Sequence, residues 1–402
     1  MKRKKYFGID INVIFLSLVS CLNDMSSEMI MPILPLFIQS LGGGGIVIGL
    51  IGGLRESIAG ILKIISGYWS DKIGKRKIFV FSGYFCSASF KLLLALSKTW
   101  QHVLISSSLE RIGKGLRDAP RDAIIADYAT INRGKVFGFH RTFDTTGAIL
   151  GSVIVLILFW VFKFSFSSII FIAVIIGFVS LFPLEFVSEK QHDRRRVAFK
   201  IRFTNLPRKL KKFIIIAGFF ALANFSYMFF ILKAQQIISG KASVEMSILL
   251  YVIFNFFYAL FAIPLGMLSD KIGRRKVIVF GYFVFSLTCF GMVVFNSLFS
   301  LIFIFILYGL TKALIEGNQK AYVSDISAQY IRATALGAFH TVTSILALFS
   351  SLIAGFLWQF SPNATFIYGS TVALIPVILF FVFKTKIISK KHTKSQLLSL
   401  KL

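Results

Sequence analysis

Long apolar runs recur along the chain, broken by short polar stretches, and their length decides the fold class. A helix that crosses a bilayer needs about 20 mostly apolar residues. Twelve runs meet that length: 10–39, 46–69, 78–97, 102–129, 136–162 and 165–187, then 213–238, 246–269, 277–296, 299–327, 334–360 and 364–384. The pattern predicts an all-α membrane protein with twelve transmembrane helices. One polar stretch is long, residues 188–212, and it divides the runs six and six. The expected organisation is an N-terminal six-helix bundle (1–187), a basic linker (188–212), a C-terminal six-helix bundle (213–384) and a basic tail (385–402). The first run does not read as a cleavable signal peptide. It is too long, it holds Asp24 and Glu28, and no small-residue cleavage site follows.

Composition agrees with the pattern. Of 402 residues, 56% are hydrophobic and 15% are charged, well below the roughly 25% charged of soluble domains. The net charge of +28 would suggest nucleic acid in a soluble chain, but its distribution excludes that. Thirty-one Lys and Arg residues fall in one alternating set of segments between and beyond the runs; only Lys98, Lys163 and Lys241 fall in the other. Cytoplasmic loops carry the excess of Lys and Arg. The partition therefore predicts both termini in the cytoplasm, in an integral multi-pass protein of the bacterial cytoplasmic (inner) membrane. The 188–212 linker is expected to lie on anionic lipid headgroups. Cys21, Cys86 and Cys289 sit inside apolar runs and suggest buried thiols without a disulfide. No cofactor or metal is expected, because no metal-ligand cluster occurs. No GxxxxGK[ST] loop occurs, so ATP is not expected as a partner. No Cys–His or Ser–His–Asp constellation points to an enzyme.

The two halves repeat each other. Gly67-Tyr-Trp-Ser-Asp71-Lys-Ile-Gly74-Lys75-Arg76-Lys77 separates runs two and three, and Gly266-Met-Leu-Ser-Asp270-Lys-Ile-Gly273-Arg274-Arg275-Lys276 separates runs eight and nine. Asp127 and Asp325 end runs four and ten, and Arg133 and Arg332 open the following loops. Transporters are often built from such paired halves, with the substrate site between them. The twice-present loop resembles the signature loop of the major facilitator superfamily, and the resemblance spans the whole chain. Asp24, Ser26, Ser27, Glu28 and Met29, together with the run from Arg111 to Asp122, resemble an uncharacterised bacterial branch. The resemblance implies that Asp71, Lys75 and Asp127, and likewise Asp270, Arg274 and Asp325, form charge clusters that latch the halves on the cytoplasmic face. Topology signalling alone is the alternative. Gly74 and Gly273 suit a tight turn between helices.

Eleven cations lie inside the runs: Arg55, Lys63, Lys91, Arg111, Lys114, Arg117, Arg121, Arg141, Lys233, Lys312 and Lys320. Eight acids accompany them: Asp24, Glu28, Glu56, Glu110, Asp118, Asp122, Asp144 and Glu316. A central charge facing lipid costs about 2.5–3.5 kcal/mol on insertion scales, so these groups are expected to enclose a wet polar cavity between the bundles. Lys114, Arg117 and Arg121 form one helical stripe, which Pro120 is expected to interrupt. Asp24 and Glu28 share a face one turn apart. The candidate substrate or coupling residues are Asp24, Glu28, Lys63, Arg111, Lys114, Arg117, Arg121, Arg141, Asp144, Lys233, Glu316 and Lys320. For each, a structural ion pair is the competing reading: Asp118 and Asp122 for the α-stripe arginines, Arg117 or Arg141 for Asp24 and Glu28. Arg111 resembles a superfamily arginine linked to proton coupling or to holding helices together. Glu56 is expected to pair with Lys63, and Lys91 and Lys312 to snorkel or make minor contacts. His102, His140 and His340 lie at predicted span ends and are set aside. Gly147, Gly151 and Ser152 resemble part of an antiporter motif, though small residues at this spacing also serve close packing.

These features together predict a secondary active transporter, expected as a monomer, for a small organic solute with an anionic one favoured. Arg117, Arg121 and Arg141 would attract it and protons would drive it. A multidrug or siderophore exporter and a non-transporting membrane sensor are the alternatives.

Overall fold

The computed structural model describes residues 5–6, 9–129, 133–189, 206–238, 240, 242–328 and 331–382. The basic N-terminus before Lys5, most of the 188–212 linker, Lys241 and the 385–402 tail lie outside the described residues, as does the end of the last expected run.

The elements are helical apart from a two-residue hairpin, Lys5–Tyr6 with Ile9–Asp10, at the start. The first half holds α1 (Ile11–Ile30), α2 (Leu34–Ser40), α3 (Gly45–Ile73), α4 (Lys77–Ala95), α5 (Trp100–Tyr128), α6 (Arg133–Trp160), α7 (Phe166–Val179) and α8 (Phe182–Glu185). The second holds α9 (Arg208–Ala223), α10 (Met228–Ile237), α11 (Ser243–Ile272), α12 (Arg274–Val294), α13 (Leu298–Asp325), α14 (Arg332–Phe360) and α15 (Pro362–Val382). The first run of each half is thus broken, at residues 31–33 and again at 224–227. The linker ends earlier than 212, because Arg208 to Lys212 form the first turn of α9.

Among the described residues, eleven helical segments are long and apolar enough to cross a membrane, with α1–α2, α7–α8 and α9–α10 each counted as one. The 29-residue α5 is long enough as well but carries charge from Glu110 to Asp122. It runs unbroken through Pro120, contrary to the expected interruption. Gly74 and Gly273 end α3 and α11 at φ 76° and 97°, left-handed values that an L side chain resists. Both glycines of the repeated loop are therefore required by the turn itself.

Helices of the same half pack closely: α4 and α3 on α5, α1 on α6, and α11 and α12 on α13. Gly147 and Gly151 of α6 leave no room for a side chain against the backbone of Cys21 and Met25 on α1, so that small-residue pattern is a packing seam. Two helix pairs make most of the contact between the halves, α3 with α14 and α6 with α11, and α10 also touches α2 and α3. The first is the tighter. Gly45, Gly49, Gly53 and Gly60 of α3 press on Gly355, Ser351, Leu348 and Ser344 of α14. Large apolar side chains cover the outside, Phe299 being 85% exposed and Phe81, Phe290 and Phe303 also exposed. An apolar coat of this extent belongs to a lipid-facing surface.

Candidate functional site

A cavity of about 700 Å³ opens between the halves. Its floor lies near mid-depth at Ser226, Tyr227 and Ser351, and its lining extends to Asp122, His140, Lys320 and His340 in the thirds of their helices nearest the 70–77 and 270–276 loops. The opposite end is closed. There α3 and α14 meet through their glycines, and the Tyr227 hydroxyl donates to the Met31 carbonyl at 3.0 Å. The cavity is therefore open toward the repeated loops and sealed away from them.

Nine of the twelve expected site residues line it: Asp24, Lys63, Lys114, Arg117, Arg121, Arg141, Asp144, Glu316 and Lys320. They differ in what holds them. Lys63 of α3 reaches Asp118 and Asp122 of α5 at 3.6 and 4.0 Å, and so does not pair with Glu56 as expected. The Arg117 guanidinium is 2% exposed, donates to Ser87 Oγ at 2.6 Å and lies over the Tyr84 ring at 4.5 Å. It braces α5 against α4 at the cavity wall. Arg121 spans from Ser20 Oγ (2.7 Å) to Asp122 (3.0 Å). Arg141 alone among the stripe and its neighbours crosses between the halves. It donates to Tyr258 Oη of α11 at 2.9 Å, and that hydroxyl donates to Glu316 of α13 at 2.8 Å.

Three expected site residues stand elsewhere. Lys233 lies on α10, past the break at 224–227 and on the sealed side, and does not line the cavity. Glu28 is also on the sealed side, where Tyr251 Oη and Asn255 Nδ2 donate to it at 2.9 and 3.0 Å. It pairs with neither Arg117 nor Arg141. Arg111 belongs to a buried cluster: Glu110 meets both Arg111 (3.1 Å) and Arg55 (3.4 Å), and Arg111 points its other edge at Met31 Sδ (3.2 Å). Lys91 is buried beside this cluster with Ser26 and Ser27 accepting at 2.9 Å each, so it does not snorkel. The helix-holding reading of Arg111 is the one this geometry supports.

Several lining residues escaped the sequence reading. His140 is 4% exposed, with Nδ1 at 3.2 Å from Ser17 Oγ and Nε2 at 3.6 Å from Asp144. His340, Gln319, Asn224 and Glu56 also line the cavity, and Lys312 lies 3.8 Å from Glu316. Among the described residues no cluster of His, Cys, Asp and Glu could hold a metal ion.

A sequence profile of the Major Facilitator Superfamily matches residues 16–239 and 214–399. The chain belongs to the Major Facilitator Superfamily. It is 54% identical over 372 residues to an uncharacterized MFS-type transporter of Methanocaldococcus jannaschii, covering 92% of this chain and 94% of that one. It is 21% identical over 307 residues to the multidrug resistance protein MdtH of Proteus mirabilis, covering 75% of each. Among solved structures, the nucleoside transporter NupG superposes with a TM-score of 0.79 at 14% identity, covering 93% of this chain and all of that one. This MFS chain is therefore a multi-pass membrane transporter and not an enzyme.

The superfamily's repeated loop is built in both halves, but in different registers. In the second half Arg274 bridges Asp270 (2.7 Å) and Asp325 (2.5 Å) as expected. In the first half Arg76, not Lys75, bridges Asp71 (2.8 Å) and Asp127 (2.6 Å). Two carboxylates converge there, and a guanidinium can present separate N–H groups to both while an ammonium is a point charge. Arg275, the counterpart of Arg76, turns instead to the Phe380 carbonyl and ring. Among the described residues, the ion pairs of each cluster join helices of its own half. Gly67 packs toward Ala119 of α5, whereas Gly266 faces open space.

Proposed function

We propose that this chain moves a small polar organic solute with an anionic group across the cytoplasmic membrane by alternating access, driven by a proton gradient. The carrying observation is the charged cavity shared by both halves, open at the repeated loops and closed at the other end. The partition of Lys and Arg supports placing those loops, and both termini, in the cytoplasm of a bacterial-type inner membrane, with twelve spans. In this reading the bundles 1–187 and 213–384 rock as units joined by 188–212, without ATP, and one monomer suffices because it supplies both walls. Lys114 and Lys320, which have no carboxylate within 4 Å among the described residues, offer the solute its anion contacts. Glu316 carries the coupling proton. Once neutral it no longer attracts Lys312 and Arg141 as a charge, which loosens the tie from α6 to α11 and α13.

The test is transport by purified protein in proteoliposomes, screened against organic acids, amino compounds, sugars, siderophores and dyes with and without an imposed pH gradient. Gradient-dependent accumulation of a polar solute, lost in Lys320→Gln, is the expected result. Movement of apolar dyes alone would favour drug export, a reading supported by Phe137, Phe220, Phe225 and Phe339 in the lining and by the likeness to a multidrug resistance protein. No flux for any solute would favour the sensor.

A further inference from the structure

We propose that the transported solute is a zwitterion, with its anionic group set against Lys114 and Lys320 and a cationic, amine-type group set against Asp24 and Asp144. This rests on the transport reading of the same cavity and adds the second charge to it.

The inference comes from sorting the lining charges by whether the protein already satisfies them. Lys63, Arg117 and Arg121 are held by Asp118, Asp122, Ser87 and Ser20. Arg141, Lys312 and Glu316 are tied together through Tyr258. Among the described residues, the lining charges left with neither an oppositely charged Lys, Arg, Asp or Glu within 4 Å nor a tie like that of Arg141 to Tyr258 are of both signs: Lys114 and Lys320, and Asp24, Glu56 and Asp144. The free carboxylates lie on α1, α3 and α6 of the first half, with Lys114 of α5 on the same half, while Lys320 stands across the cavity on α13 of the second.

The acidic corner is built and incomplete. Asp144 is 7% exposed and its Oδ1 has no hydrogen-bond partner; His140 is 4% exposed and its Nε2 has none either. They face each other at 3.6 Å, too far for a hydrogen bond. A buried carboxylate oxygen left unpaired is costly, and this one borders the cavity. The groups around it are Ser17 and Asp24 from α1, Arg121 and Asp122 from α5, and His140 and Arg141 from α6. Both arginines are already engaged. Asp24 lies close enough to repel it. A ligand ammonium would satisfy that corner with several N–H donors. A simple anion would neutralise the lysines and leave three carboxylates facing it. A simple cation would do the reverse. Only a solute with both charges complements both walls, and it would thereby bridge the halves.

Thermal unfolding of the full chain in detergent discriminates these cases, because a ligand of the folded state raises the transition temperature. The probes are matched triplets: each of the common α-amino acids, 4-aminobutyrate and 5-aminovalerate, with its deaminated acid and its decarboxylated amine. We expect at least one zwitterion to raise the transition by about 3 °C or more at millimolar concentration, with neither relative doing so. That shift should vanish in Asp144→Asn and in Lys320→Gln. Stabilisation by a deaminated acid equal to that of its zwitterion overturns the inference while leaving an anion transporter standing. Stabilisation by amines alone, or by no zwitterion in the set, also overturns it. A zwitterion shift retained in Asp144→Asn and Asp24→Asn would remove the acidic corner from the site. If the Asp144→Asn chain does not fold, Asp144→Glu serves instead: it keeps the charge and should keep the selectivity for the zwitterion.

Discussion

At the residue scale, the sharpest consequence concerns Glu110. Among the described residues it is the one carboxylate within salt-bridge distance of Arg55 and Arg111, with Lys91 buried nearby. Removing the charge from one member of a buried ionic group leaves the others uncompensated, at a cost of about 3–5 kcal/mol. Glu110→Gln is therefore expected to lower the unfolding temperature far more than Asp118→Asn, whose partner Lys63 also has Asp122. Differential scanning fluorimetry of the two variants checks this; equal shifts would mean that the cluster is not a unit. The repeated loop gives a second test. Arg76→Ala should destabilise by about 1.5–3 kcal/mol through two lost charged hydrogen bonds. Lys75→Ala should stay within about 0.5 kcal/mol, and the reverse order would restore the register expected from sequence. That register was not legible because Lys72, Lys75, Arg76 and Lys77 all stand beside Asp71 in sequence. Only the approach of Asp127, on a different helix, selects among them. His140 was missed for a related reason. The apolar pattern opens its span at 136, whereas α6 begins at Arg133 and the cavity reaches down to it, so a residue that reads as a span end is an inner wall.

At the scale of elements, depth was legible and side was not. The apolar runs placed the helices to within a few residues, and intramembrane charge correctly implied a cavity, because so many charges could not face lipid. Run length alone does not reveal that α1–α2 and α9–α10 are broken. The break at 224–227 sets Lys233 beyond the cavity floor, while Glu28, near the end of α1, turns to Tyr251 and Asn255 of α11, away from Asp24 one turn earlier. The α3–α14 seam makes its own prediction. Gly49 lies against the Ser351 carbonyl with no space for a Cβ, and forced overpacking costs about 1–3 kcal/mol. Gly49→Val should part the two helices where they seal the cavity. With Cys21, Cys86 and Cys289 replaced by alanine and Asn224→Cys as reporter, a membrane-impermeant thiol reagent should label from the loop face only. Adding Gly49→Val should allow labelling from the opposite face as well. Labelling confined to the loop face in both proteins would assign the seal elsewhere, to α2 and α10.

At the scale of the whole molecule, two main joints connect the halves and they are unequal. The α3–α14 joint is a glycine seam held by close packing, while the α6–α11 contact carries the chain from Arg141 through Tyr258 to Glu316. Packing along a seam resists separation over its whole length, but a single hydroxyl linking two charged groups can be made or broken in one step. The second joint is thus the one suited to report occupancy to the rocking motion, since Arg141 and Glu316 both face the cavity and both can be drawn to a solute. Tyr258→Phe keeps the ring and removes only the linking hydroxyl. Each lost hydrogen bond to a charged group is worth about 1.5–3 kcal/mol, and a difference of about 1.4 kcal/mol changes a two-state ratio tenfold. If the opposite conformation lacks this link, the variant should shift the population away from the loop-open state by at least that factor, without much change in unfolding temperature. Distances between spin labels at Lys75 and Lys271, one on each repeated loop, read this directly. A shorter-distance population should grow in Tyr258→Phe, and Glu316→Gln, which keeps an acceptor for the hydroxyl, should grow it less. An unchanged distance distribution in Tyr258→Phe would show that the joint persists in both conformations, and the switch would then have to lie in the seam.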